Sequence, residues 1–268
     1  MKKKIFLAAI MLFVHTVHAQ ISPGQILQAG ERLEYKVKWN FLRIGTIIVR
    51  TERDTTAGDS SFYRLFMTVA SNPALMFLHI LEFNESLVSG YDPHSRKYMG
   101  KHLNGDDSVL ITYSYDPRIR RASCFEKNLR TGEIRYNSSH ENVPPYVEGA
   151  SLLLYARCKS HSGKAYNVPT MVGNELHNTR LEFRGEKDDL SVDIFPQHVR
   201  SVKYSGFADW SGGSSAGVSG EFNGWVSDDD AAIPLRAEMK VLLGSITIEL
   251  EKWNRAGWTP PTALQTSF

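Results

Sequence analysis

Cysteine is scarce: only Cys124 and Cys158 occur in 268 residues. That excludes a framework of several disulfides and a cysteine-rich metal site. Long apolar runs are also missing. After Ile5 to Val14, nothing approaches the roughly 18 consecutive apolar residues of a membrane-crossing helix, so no transmembrane anchor of that kind is expected. Excess charge is missing too. Lysine and arginine number 31 against 29 acidic residues, and Lys2, Lys3 and Lys4 stand together at the start. Without those three the balance is 28 to 29, which provides no bulk attraction toward nucleic acid or an anionic membrane. The basic stretch from Asp116 to Ser123 alternates like a strand with a wet face, so no nucleic-acid partner is expected.

Catalytic and metal-ligand spacings are absent as well. Nine histidines are present, but none forms His-x-x-x-His or His-Glu-x-x-His, and no Cys-x-x-Cys occurs. Gly149-Ala-Ser151 lacks the second glycine of a hydrolase nucleophile elbow. No cofactor and no catalytic residue is expected from these patterns. An enzyme would need distant residues to meet, for instance His177 or His198 with Glu182 or Asp193.

The opening "MKKKIFLAAIMLFVHTVHAQ" has three lysines, a short apolar run and a Val17-His18-Ala19 end with small or tolerated residues before Gln20. It reads as a cleaved signal peptide over residues 1–19. No cysteine stands near the cleavage point to take a lipid, so a periplasmic or secreted protein is expected. In an oxidising compartment Cys124 and Cys158 can pair as one disulfide, and two buried thiols are the alternative.

Two-residue alternation dominates what remains. In "ERLEYKVKW", Leu33, Tyr35, Val37 and Trp39 share one face, with Glu34, Lys36 and Lys38 on the other. Similar runs recur between turn signals such as "GYDP", "YDPR" and "RTGE". About ten to twelve antiparallel strands are expected, forming a β-barrel or a strongly curved half-barrel sheet. One segment breaks the pattern: "VPPYVEGASLLLYARCK" carries helical spacing and predicts a single helix over Val147 to Lys159, packed on or into the sheet. No compositional shift divides the chain. A single β-rich domain is expected over 20–268, with its core at about 30–253 and a glycine- and serine-rich loop at Ser211 to Gly220.

"LEYKVKWNFLRIGTIIVR" and "LRAEMKVLLGSITIELEK" echo one another, with Gly45 and Gly244 at matching places, which suggests that the first and last hairpins pair. The acidic run Asp228, Asp229 and Asp230 falls between two such strands. It reads as turn capping, because the alternating ligands and distant glutamate of a calcium loop are lacking. Tyr35, Trp39, Phe66, Leu154, Tyr155, Trp225 and Met239 are candidates to line an interior cavity, with plain core filling as the alternative.

"GERLEYKVKWNFLRIGTIIV", the "PPYVEGASLLLYAR" helix and "FNGWVSDDDAAIPLRAEMKVLLGSITIEL" together resemble domain of unknown function 3108, a family of exported bacterial proteins. The resemblance implies an exported β-rich fold and transfers no catalytic residue. The architecture is also broadly similar to periplasmic carriers of lipid and lipoprotein. The reading that follows is a carrier of a lipid or another apolar or amphipathic ligand. A structural module binding an envelope protein is the alternative, and a hydrolase-type enzyme is third.

Overall fold

The computed structural model describes residues 21–55, 61–76, 78–104, 107–210, 220–240 and 244–262. The signal-peptide reading of residues 1–19, and the Ser/Gly loop except for Gly220, lie outside the described residues. Fourteen strands follow in chain order. The first eight are β1 Arg32–Trp39, β2 Leu42–Arg53, β3 Phe62–Ser71, β4 Leu81–Ser89, β5 Ser95–His102, β6 Val109–Asp116, β7 Arg121–Asn128 and β8 Ile134–His140. The other six are β9 Ala165–Val172, β10 Glu175–Leu190, β11 Val199–Ala208, β12 Gly220–Ser227, β13 Pro234–Lys240 and β14 Ser245–Asn254. Helix α1 spans Pro23–Ile26 and α2 spans Gly149–Lys159. The strand total exceeds the ten to twelve expected, and α1 is an addition to the one helix expected.

All fourteen strands form one antiparallel sheet in the order β8-β7-β6-β5-β4-β3-β2-β1-β14-β13-β12-β11-β10-β9. Each strand pairs with its chain neighbour except across the β8 to β9 connection. The first and last strands pair in mid-sheet, from Arg32 with Asn254 to Trp39 with Ile246, as the echo between the end hairpins suggested. The two glycines of that echo are not equivalent. Gly244 sits in a turn with φ +95°, whereas Gly45 lies inside β2, where a Cβ would come 2.6 Å from the Ala70 carbonyl.

The sheet is not closed by a hydrogen-bonded ladder between β8 and β9. Its edges nonetheless return to one another. Cys124 Sγ on β7 lies 3.8 Å from Met171 Sδ on β9, and His140 Nε2 on β8 lies 3.1 Å from Asn174 Oδ1 beyond β9. The segment leading into α2 crosses the opening. Tyr146 carbonyl accepts Ser95 N–H at 3.0 Å, and Val147 exchanges backbone bonds with Pro169 and Met171 of β9 at 2.9 Å each. Val147 is thereby spent as a strand partner, so the helix starts two residues later than its spacing predicted.

Helix α2 lies inside the curve, on the buried faces of β3 and β4. Side chains of its inner face join Tyr35, Val49, Phe183 and Tyr204 in the central clusters. The chain after β14 packs back against the same central core. Trp258 stands against Phe195 and Trp253, and its indole N–H donates to Asp229 at 2.8 Å. Residues past Trp253 therefore belong to the packed body as far as Thr262, which bridges to Val199.

Candidate functional site

A cavity of about 260 Å³ lies between α2 and the wall of the sheet. Leu152, Leu153 and Ala156 of the helix form one side, and Tyr35, Ile47, Met67, Leu181, Tyr204, Phe222, Met239 and Ile248 form much of the other. The strands supply these residues by simple alternation: Tyr35 pairs with Ile47, Phe222 with Met239, and Met239 with Ile246. Two cross-strand glycines make room for the aromatic rings. Tyr204 lies over its partner Gly224, where a Cβ would come 2.2 Å from the ring, and Phe222 lies over Gly206 in the same way.

Arg236 borders the cavity with its guanidinium held by Glu249 and the Ser191 carbonyl, and the other polar groups there are few and neutral. Burial raises the Tyr35 phenol far above its ordinary value and lifts Tyr204 to about 12. The Tyr35 hydroxyl is buried and has no hydrogen-bond partner among the described residues. The site therefore offers apolar surface and an uncharged hydroxyl, a combination suited to a chain or ring with little polarity.

Behind the cavity a buried ion cluster holds α2 to both ends of the chain. Arg157 donates to Glu31 at 2.8 and 3.2 Å and to the Ala231 carbonyl at 2.9 Å, while Arg255 donates to Glu31 and to the Ile26 carbonyl. Burial would raise the Glu31 pKa, but the two guanidiniums hold it below the ordinary value. Neither Glu31 nor Arg157 was visible as a site in the sequence. The one available signal was a charged residue inside the helix's own buried stripe, next to Cys158.

A second buried acid, Glu148, is the N-cap of α2 and makes no ion pair among the described residues. Burial pushes it up to about 7, against the opposing pull of the Ser86, Ser151 and Ser95 hydroxyls. Ser151 closes the helix start by accepting Glu148 N–H at 2.8 Å.

Of the seven sequence candidates, Tyr35 and Met239 border the cavity. Leu154 faces the opposite way, into a cluster with Ile26, Tyr63, Leu65 and Val88. Tyr155 stacks edge-on with His94 and Tyr166. Phe66 lies under the Arg50 guanidinium at 5.1 Å, and Trp225 lies under Lys203 while donating to Asp188. Trp39 ends β1, half-buried. The disulfide is not formed. Cys124 and Cys158 are free, because they sit in separate clusters on β7 and α2. Burial raises them to about 11 and about 12, so neither is a ready nucleophile.

The histidine and carboxylate pairs considered for catalysis do not assemble. His177 is held by the Asp209 carbonyl at 3.1 Å, His198 is exposed, Glu182 accepts from Arg184, and Asp193 accepts from Lys36. Ser138 and His140, both on β8, do touch at the seam, where they face Asn174. There the serine proton goes to Asn174, and the same His140 nitrogen shares that amide oxygen, which makes a clasp and leaves no free base. The acidic run resolves into separate duties. Asp229 accepts the Ala231 and Ala232 N–H groups at 3.1 and 3.0 Å, whereas Asp228 accepts from His161 and Lys187. Among the described residues no group of three or more His, Cys, Asp or Glu side chains is placed to hold a metal ion.

Comparison with known proteins places the chain in a family. The model of a family described as protein of unknown function, DUF3108, matches residues 34–251. The chain belongs to that family. Among solved structures, it is similar to a β-barrel-like protein of domain of unknown function DUF1849 from Brucella abortus, with 11% identity and a TM-score of 0.49, covering 85% of this chain and 98% of that one. It is also similar to a protein with a YmcC-like fold from Bacteroides fragilis, with 9% identity, a TM-score of 0.32, and coverage of 85% and 97%. No curated protein matches. Membership in the DUF3108 family brings no activity with it, so the cavity's own chemistry has to carry the functional reading.

Proposed function

We propose that this DUF3108 protein is an exported carrier that holds one apolar or amphipathic chain in the cavity beneath α2. The observation that supports it is the cavity itself: about 260 Å³, lined mainly by aliphatic and aromatic side chains, with Arg236 at its border already paired to Glu249. A single acyl segment or a small ring system suits a cavity of that size. The basic and apolar start of the sequence supports a periplasmic or secreted location. No helix among the described residues is long and apolar enough to cross a membrane.

The test uses two adjacent leucines that face different ways. Leu153→Trp projects into the cavity and should weaken binding of a fluorescent fatty acid at least about tenfold, with the fold retained. Leu154→Trp projects into the packed cluster on the other side and should cost about 1–3 kcal/mol of stability while leaving probe affinity near wild type. Equilibrium probe titration and chemical denaturation of both variants read the two effects separately. Wild-type protein that neither binds the probe nor carries an apolar molecule from its host in native mass spectrometry would sink the carrier reading.

A further inference from the structure

Large apolar side chains normally leave water, yet two stand almost wholly in it at one end of the sheet. Phe41, in the β1 to β2 turn, is 94% exposed, and Met76, in the β3 to β4 loop, is 86% exposed. Neither is a stray tip. The two loops are joined by backbone and side-chain bonds, with Asn72 N–H donating to the Ile44 carbonyl at 2.7 Å and Asn72 Nδ2 to the Arg43 carbonyl at 3.1 Å. The first turn is fixed from its other side as well. Asn40 adopts φ 53°, donates its N–H to the Ser245 carbonyl at 2.9 Å, and accepts Ser245 N–H at 3.1 Å. Leu42 adds a third exposed apolar side chain at the same place.

This end is also where the cavity reaches the strand ends. Met239 borders the cavity and pairs with Ile246, which pairs with Trp39, the residue immediately before the Asn40–Phe41 turn. Ala208 and Trp210, at the end of β11, border the cavity on the same side of the sheet.

We propose that this end of the protein docks on a lipid surface, with Phe41 and Met76 inserted among the acyl chains. A lipid layer is the partner these features suit. Side chains that project from turns lack the flat surround that a protein interface seals against water, but they can enter a soft apolar layer. Residues 40–43 and 71–80 contain no carboxylate to be repelled by headgroup phosphates, and the arginine among them, Arg43, is paired with Glu251. The near-neutral chain gives no long-range attraction, so insertion is apolar and insensitive to salt. Docking rests on the exposed turns alone. Its purpose, passing a chain between membrane and cavity, rests on the carrier reading.

The experiment is flotation of the mature protein with vesicles of phosphatidylethanolamine and phosphatidylglycerol, and with vesicles of phosphatidylcholine alone. The wild type should float with both, at low and high salt. The double variant Phe41→Ser, Met76→Ser should lose at least about tenfold in partitioning with an unchanged melting temperature. Tyr91→Ser, which removes a ring 82% exposed in the β4 to β5 turn, should float like the wild type. Absence of wild-type flotation, or equal flotation of the double variant, overturns the proposal. So does a concentration-dependent dimer that the double variant abolishes, since a second copy would then cover these side chains. Fatty-acid binding measured on the same samples keeps the two ideas apart: a double variant that binds probe normally but does not float separates docking from carriage.

Discussion

At Gly224 a missing side chain creates the space in which Tyr204 lies. The residue needs no left-handed backbone, so the demand is steric: a Cβ would sit 2.2 Å from the Tyr204 ring. Gly224→Ala must therefore turn that ring aside, and the adjoining volume available to it is the cavity that Tyr204 borders. The expected outcome is a loss of about 1–3 kcal/mol from overpacking, accompanied by weaker fatty-acid binding. Denaturant unfolding beside probe titration checks it, and unchanged probe affinity in a destabilised variant would show that the ring moves elsewhere. Nothing in the sequence marks Gly224 as special, because it reads as one more small residue in a strand. Its role depends on which residue of β11 lies opposite, and register between distant strands is a tertiary property.

Helix α2 shows how an element can be legible while its orientation is not. Its helical spacing is plain in the sequence, but the helix is buried nearly all round, with Ala150, Ser151 and every residue from Leu154 to Lys159 out of solvent. A helix with no wet face has no stripe from which to tell the cavity side from the core side, so Leu154 and Leu153 could not be assigned. Strand β4 reverses the usual signal. Glu82, Asn84 and Ser86 face inward, where Asn84 accepts from Tyr98 at 2.6 Å and from His102 at 3.1 Å, while Phe83 faces out. By contrast Tyr35 and Met239 follow plain alternation and were legible. The helix start carries a further consequence. With Glu148 raised from 4.5 to about 7 in the folded state, the native protein holds a proton that the unfolded chain releases between those values. Stability from this group is then fully present below about pH 4.5 and falls as pH rises through 7, by roughly 3 kcal/mol in all. Glu148→Gln keeps the neutral shape and removes the titration. Melts from pH 5 to pH 8 should show a steeper decline for wild type than for the variant, and parallel curves would mean that the carboxyl ionises in place at little cost.

The whole molecule is organised around a pairing that the chain can make only late. β1 and β14 join residues more than 200 positions apart, from Arg32 with Asn254 onward, and contacts of that separation carry a large loop-closure cost before they contribute stability. In the sheet they lie at the middle, flanked on both sides, with Leu33 and Leu250 fully buried. β8 is the opposite case. It pairs with β7 alone, its residues are exposed or half-buried throughout, and side-chain clasps stand where a ladder to β9 would be. Backbone hydrogen exchange should rank accordingly. Amides of β1 and β14 that donate within the sheet open only with global unfolding, whereas those of β8 open by local release of one edge, at least about a hundredfold faster. The measurement is native-state exchange resolved to single strands, at a pH below 7 so that the Glu148 cap remains protonated. If β8 proved as protected as β1, the β8 to β9 seam would have to be hydrogen-bonded in solution. The barrel would then be closed, and the seam would offer a ligand no way in.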